Sequence, residues 1–330
     1  MKKFSIILLT YNAQRHQLNK TLLSIFNQTL KDIEIVVTDD ASKNDVKKIV
    51  KEICMDNEFN DFLFVSHEFN VGTVRNMLDG IKRAEGKYIK VIGAGDLLYD
   101  ENILENVYRF MERRNSRCCF GWAHGYEEHQ KEIHKRIIKL PVFVNAYRKG
   151  KTKQIIKNIV KYDDRMAGCA LFFERNYPIP FWETMVKTGC VRYSEDLLTI
   201  EMALKEECYD FYDACVVWYE TNTGVSSKKS KFSSEQLITH DVYNYFNVLA
   251  KKYSNNPLLK RGLKIRMYQT KYRNRIQRIL NYYRVPDKFI YELIARIYKN
   301  FSYPRYKSQG FLEDEKFLRT MWMKDSEKGF

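Results

Sequence analysis

Short stretches of this 330-residue chain carry side chains that can do chemistry together. Thr10-Tyr11-Asn12 offers an aromatic ring between two polar residues, and Thr38-Asp39-Asp40-Ala41-Ser42 offers paired carboxylates. Asn70-Val71-Gly72-Thr73-Val74-Arg75-Asn76 supplies a turn and a guanidinium, and Gly93-Ala94-Gly95-Asp96 brings a side-chain-free backbone beside another carboxylate. The set suits a nucleoside diphosphate. Tyr11 can stack on a base, while Asp39 or Asp40 can accept a proton from a base N–H or a ribose hydroxyl. Arg75 can pair with phosphate oxygens, and Asp96 can hold a divalent cation, a hard ion that bridges phosphates. Acidic groups beside a diphosphate repel it unless a cation intervenes, so Mn2+ or Mg2+ is the expected cofactor. Taken singly, each stretch also has a structural explanation: a turn and helix cap at 39–42, a cap at Asp96, packing for Tyr11, and backbone conformation for Gly93 and Gly95. Further on, Glu195-Asp196 can provide a general base at a cleft edge or be the acidic first turn of a helix.

The elements that must position these groups can be read from periodicity. Phe4–Leu9, Ile33–Val37, Phe62–Val65 and Tyr88–Ile92 read as strands. Leu18, Leu22, Ile25 and Phe26 fall at helical spacing, Ser42–Cys54 reads as a second helix, and Val74, Met77, Leu78 and Ile81 share the face of a third. Such alternation predicts a mainly parallel α/β sheet with helices on both faces, and ligands in these sheets sit beyond the carboxyl ends of the strands. Each chemistry-bearing stretch follows one of the predicted strands. Residues 115–190 are less regular, and specificity is expected there. Ala170–Phe173 suggests a strand, Ser194 an N-cap for a helix to about Glu207, and Phe211–Tyr219 a last strand before a polar loop at 221–230.

Composition narrows the partners. A net charge of +15 points to an anionic partner. The apolar run after Lys2-Lys3 stops at Thr10, too short for a signal peptide, and no long apolar stretch exists to span a membrane. Seven cysteines without a Cys-x-x-Cys pair read as reduced structural thiols in a cytoplasmic protein. From Lys260 to Arg284 nine basic residues meet no acidic one, and Ile265, Tyr268, Tyr272, Ile276, Ile279 and Tyr283 make a helical stripe. This stretch reads as a helical appendage packed on the rest of the chain, or as a contact for an anionic membrane surface. Nucleic acid ranks lowest, since no nucleic-acid-binding module is evident.

In order and spacing, these segments resemble family 2 glycosyltransferases. Ser5–Asn12, Leu22–Thr29, Glu34–Ser42 and Asn70–Asn76 resemble the family's opening. Gly86-Lys87-Tyr88-Ile89 through Asp96 resembles the lead-in to its Asp-x-Asp metal motif, and Ser194–Leu198 its later Glu-Asp motif. Tyr219-Glu220 through Ser226 resembles the closing loop. The resemblance covers about residues 3–228 and leaves the basic C-terminal region, 229–330, outside it. It implies a GT-A fold, a UDP-sugar donor bound by Thr10, Tyr11, Asn12, Asp39, Asp40, Arg75 and Gly95, a metal on Asp96, and Asp196 as the base of an inverting transfer. The acceptor implied is a glycan or lipid-linked glycan of capsule, lipopolysaccharide or wall synthesis, with Glu195 and His124 on the acceptor side. One departure stands out: Gly93 and Gly95 occupy positions where the family often has further carboxylates. A non-catalytic nucleotide- or glycan-binding protein with a degenerate metal site, or a phosphate- or nucleic-acid-binding protein acting through its basic tail, is the alternative.

Overall fold

Strands β1 (Phe4–Thr10) and β2 (Ile33–Asp39) are apolar and buried along nearly their whole length, as strands covered on both faces must be. In the computed structural model, which describes residues 2–129, 132–207, 209–221, 234–272, 274–301 and 320, they pair in parallel at the heart of a mixed sheet. β3 (Phe62–Ser66) lies outside β2, and β4 (Tyr88–Gly93) flanks β1 on the other side. Helices α1 (Arg15–Phe26), α2 (Val46–Asp56) and α3 (Thr73–Ile81) make the crossovers. Register sets Thr10 opposite Asp39, Asp39 opposite Ser66 and Leu9 opposite Gly93, so four strand ends finish in one row. The second helix starts at Val46 rather than Ser42, because the Ser42 hydroxyl is committed to Asp39 and Asp45 supplies the cap, accepting from the Lys48 N–H at 3.0 Å.

After β4 the sheet becomes mixed. It is completed by β5 (Leu97–Leu98), α4 (Ile103–Arg114), β6 (Cys118–His129), β7 (Glu132–Ile138), α5 (Asn145–Arg148), α6 (Thr152–Tyr162), β8 (Leu171–Glu174), α7 (Ile179–Thr188), α8 (Leu198–Leu204) and β9 (Asp210–Glu220). The strand order is β3-β2-β1-β4-β8-β6-β9-β5, with β7 paired to β6. The span 115–190 is thus well ordered in secondary structure. Its strand β6, Cys-Cys-Phe-Gly-Trp-Ala-His-Gly-Tyr, mixes small and aromatic residues and shows no two-residue period. Glu195–Leu197 forms one 3₁₀ turn ahead of α8, and the Ser194 side chain makes no cap bond there. From residue 222 the expected polar loop lies outside the described residues.

Alternation along the central strands divides the core. Ile6, Leu8, Ile35 and Val37 meet α1, α2 and α4 on one face. Ile7, Val36 and Ile89 meet α3, α6, α7 and α8 on the other. The six described cysteines are free thiols. Burial pushes those of Cys54, Cys118 and Cys119 up, which suppresses the reactive thiolate. Among the described residues no helix is long and apolar enough to cross a membrane.

The C-terminal region is helical: α9 (Ser234–Lys252), α10 (Pro257–Lys271), α11 (Arg275–Leu280) and α12 (Pro286–Phe301). The single helix expected over 260–284 is broken, because Asn274 caps a new helix by accepting from the Ile276 N–H at 2.8 Å. The Tyr268 hydroxyl then bonds the Arg278 carbonyl, holding the second piece against the first. The apolar stripe divides with it. Ile265 and Tyr268 are buried beside Tyr162 and Val285, whereas Ile276, Ile279 and Tyr283 are exposed. α9 and α10 are part of the main core, through Tyr245, Phe246, Leu249 and Leu259. Leu259→Ala should therefore cost about 2–5 kcal/mol, as a core truncation does, while Ile276→Ala should stay within about 0.5 kcal/mol. Urea unfolding of the two variants checks this.

Candidate active site

The row of strand ends opens onto two groups of carboxylates. The first lies beyond β1 and β2. Asp39 accepts from the Thr10 hydroxyl at 2.7 Å and from the Ser42 N–H at 2.9 Å. Asn12, at φ +52°, donates its N–H to the Ser42 hydroxyl at 2.7 Å and accepts from the Lys43 N–H at 2.9 Å. Asp40 accepts from the N–H groups of Val71 and Gly72 at 2.6 and 3.0 Å. Both carboxylates are buried. They tie the loops after β1, β2 and β3 into one wall. Tyr11 stands on the rim of this wall, 55% exposed. Arg75, on the first turn of α3, is also exposed and pairs with Asp79 one turn on, at 3.3 Å.

The second group lies beyond β4. Asp96 accepts the Glu220 N–H at 2.9 Å. Glu220 in turn accepts from Gln17 Nε2 and Lys20 Nζ, both at 3.3 Å. Gly95 sits between them at φ +106°, and a Cβ there would collide with the Glu220 carboxylate. The space that a side chain at 95 would need is thus filled by an acid delivered from β9. The Tyr126 hydroxyl bonds the Gly95 carbonyl, and the Thr21 hydroxyl accepts the Gly95 N–H at 2.9 Å. Burial pushes the Asp96 carboxyl up to about 7; the Glu220 charge adds to this, and the N–H bond from Glu220 opposes it. Lys90, inside β4 and wholly buried, donates to the Cys169 carbonyl, and burial lowers its ammonium to about 8.

The Glu195-Asp196 turn comes to the same place. Lys90 feels both Asp96 and Glu195, and Glu195 feels Asp96. Asp196 forms an ion pair with Arg165 at 2.6 Å, and Arg165 also holds Asp163 at 2.5 Å. Burial, together with the adjacent Asp196 charge, pushes Glu195 up. Gly168 leaves room for the Glu195 carboxylate, which a Cβ there would crowd. The turn is held from behind. Asp241, buried on α9, accepts from the N–H groups of Arg192, Tyr193 and Ser194 at 3.2, 2.7 and 3.0 Å. Arg192 then spans to Asn70, bonding its carbonyl at 3.0 Å and its side-chain oxygen at 2.8 Å, which links this turn to the first carboxylate wall.

The structure thus gathers Asp96 and Glu195 near Lys90, with Asp196 beside Gly168 and paired to Arg165, and Thr10, Asn12, Asp39 and Asp40 in the adjoining wall. His124 is buried on β6 beside the Tyr99 and Trp218 rings, at 5.5 and 5.0 Å. Sequence reasoning passed over Lys90, Glu220, Arg165 and Asp241. A lysine inside the apolar run Tyr88–Ile92 was a readable signal for the first. Asp241 and the Arg165–Asp196 pair carry no local signal, because these partners lie 45 or more and about 30 residues apart. Among the described residues no group of three or more carboxylate, histidine or cysteine side chains forms a metal cage. Asp96 does offer a carboxylate oxygen beyond the one Glu220 engages, and a cation that keeps waters and shares substrate phosphates needs only one or two carboxylates. The residues fit a cation shared with a diphosphate, and they do not fit one enclosed by protein.

Comparison with known proteins bears on the family and the fold. Residues 5–177 match the family described as glycosyl transferase family 2. An uncharacterised glycosyltransferase of Methanocaldococcus jannaschii is 28% identical over 177 residues, 49% of this chain and 59% of that protein. The GalNAc(5)-diNAcBac-PP-undecaprenol beta-1,3-glucosyltransferase of Campylobacter jejuni is 34% identical over 98 residues, 30% of this chain and 31% of that one. The chain therefore spans less than two thirds of the length of either relative. The crystal structure of S. aureus TarS 1-349 in complex with UDP-GlcNAc superposes with a TM-score of 0.54 at 16% identity, covering 81% of this chain and 73% of that one, which shows the shared GT-A architecture. With the family match covering more than half of its length, the chain belongs to glycosyltransferase family 2.

Proposed function

We propose that the protein is an inverting glycosyltransferase that moves a sugar from a UDP-sugar to a hydroxyl of a surface-glycan acceptor. The observation that carries this reading is the approach of the Glu195-Asp196 turn to the carboxyl end of β4: Lys90, a few residues ahead of Asp96, bonds the Cys169 carbonyl, and the neighbouring Gly168 lies against Glu195 and Asp196. The UDP-GlcNAc complex of the TarS structure supports the donor, and the undecaprenol-linked acceptor of the Campylobacter relative supports a lipid-linked glycan. Residues 1–228 carry the chemistry, and the helices from 229 support it.

In this reading the Tyr11 ring and the 10–12 and 39–40 wall receive the nucleoside, with Arg75 and Arg192 at the phosphate side. Asp96 would hold the divalent cation, Mn2+ or Mg2+, whose chemistry when bound is to neutralise the diphosphate. Asp196 takes the proton from the acceptor hydroxyl as its oxygen forms a bond to the anomeric carbon. The bond from that carbon to the diphosphate oxygen breaks, and the nucleoside diphosphate leaves with the electron pair. One displacement inverts configuration and needs no enzyme nucleophile. Arg165 orients the Asp196 carboxylate, while Glu195, pushed up by burial, holds its proton more readily.

Three outcomes test the reading. Asp196→Asn should lower transfer by about 10²–10⁴-fold with donor affinity little changed; equal rates per folded molecule would move the base elsewhere. Asp96 must lose its proton to hold a cation. Cation-dependent donor affinity should therefore climb by up to about tenfold per pH unit below about pH 7 and level off above it. Asp96→Asn should flatten that profile, as calorimetry across pH would read. Asp241→Asn replaces an acceptor of three N–H groups by an amide that also donates. It should cost about 1–3 kcal/mol of stability and lower kcat, measured well below the melting midpoint, while UDP affinity holds.

A further inference from the structure

Helix α12 is packed with its apolar side outward. Its inner face carries Lys288, Tyr291, Ala295 and Tyr298; the Tyr291 ring stacks on Tyr162 at 4.1 Å, and Phe143 lies 5.1 and 4.9 Å from Tyr291 and Tyr298. Its outer face carries Phe289, Ile290, Leu293, Ile294 and Ile297, each between 46% and 57% exposed. α11 and the turn after it add Ile276, Ile279, Leu280 and Tyr283, between 56% and 70% exposed. The two sets are continuous: Ile279, Phe289 and Leu293 line one groove of about 380 Å³, with Arg278 and Arg296 on its wall. Single exposed apolar residues are ordinary on a protein surface, but a contiguous patch of nine marks an interaction site.

Charge selects the partner. Residues 257–301 hold twelve Lys and Arg against two acids, +10 of the chain's +15. Both acids are engaged within the fold. Asp287 is held by Lys161 at 2.7 Å and by Arg261, and Glu292 by the Tyr282 hydroxyl and by Lys288 at 3.7 Å. The outward face is therefore apolar within a cationic surround. Two copies of such a face would repel each other, whereas an anionic bilayer attracts the cations and accepts the apolar side chains at its headgroup–acyl boundary.

We propose that the α11–α12 face rests on an anionic membrane surface, with Ile290, Leu293, Ile294 and Ile297 entering the interface and Arg278, Arg284 and Arg296 at the lipid phosphates. The proposal deepens the reading of a lipid-linked acceptor given above. It is tested without donor or acceptor, so either can fail alone. The full chain should co-sediment with vesicles of phosphatidylcholine and phosphatidylglycerol, less at high salt, and little with phosphatidylcholine alone. Ile290→Ser combined with Ile294→Ser, both at exposed positions, should lower vesicle partitioning about tenfold or more with an unchanged melting midpoint. Equal partitioning of this variant overturns the proposal, as does monomeric protein that binds neither vesicle. A concentration-dependent dimer that the same variant abolishes, seen by sedimentation velocity, gives the face to a second copy and also overturns it.

Discussion

Loops at the open edge of a parallel sheet present backbone N–H groups that no neighbouring strand can satisfy, and burying them without acceptors is costly. In this protein carboxylates supply the acceptors. Asp40 takes two N–H groups of the loop after β3, Asp241 takes three before the Glu195 turn, and Asp96 takes that of Glu220. The same device recurs away from the site. Glu34 accepts from Glu85 and Gly86, and Asp164 from Val142 and Phe143. A charge-assisted bond of this kind contributes about 1.5–3 kcal/mol, more than a neutral one, and its acceptor must stay where the donors are. The loops that form the cleft are therefore fixed by the acids that line it.

That economy explains why so basic a chain keeps acids buried. Lys20 sits against Glu220 and under the Tyr126 ring at 5.1 Å, and Lys90 lies among Cys169, Asp96 and Glu195. Removing one partner from such a set strands a buried charge. Burial pushes the Asp96 carboxyl up to about 7 and the Lys90 ammonium down to about 8, while cations elsewhere give the molecule its overall sign.

The C-terminal helices have two separate parts in this arrangement. α9 and α10 complete the core, and α9 reaches the turn before Glu195 through Asp241. Glu201 on α8 strengthens the same joint by accepting from the Tyr245 hydroxyl at 3.0 Å, Lys252 at 2.6 Å and the Tyr253 hydroxyl at 2.9 Å. α11 and α12 lie outside that core and turn their apolar residues to solvent. A stripe continuous in sequence serves burial in its first half and exposure in its second, and the break at Asn274 separates the two.

Much was legible in the sequence because its signals were local. The apolar runs at Phe4, Ile33, Phe62 and Tyr88 and the helical spacing between them made the α/β alternation readable, and the polar stretch after each strand pointed to one edge. Asp96 and the Glu195-Asp196 pair were visible as acids in the right order along the chain. What tertiary structure alone decided was how these acids are held. The sequence placed Asp39 and Asp40 at the end of a strand, and only the fold shows that their oxygens hold Thr10, Ser42, Val71 and Gly72. Glu220 filling the space beside Gly95, Arg165 pairing with Asp196, and Asp241 bracing the turn before Glu195 are contacts across about 30 to 125 residues. No periodicity or motif encodes such contacts. Local spacing records which face a residue occupies, while the choice of partner depends on loops closing over one another once the strands have set their register.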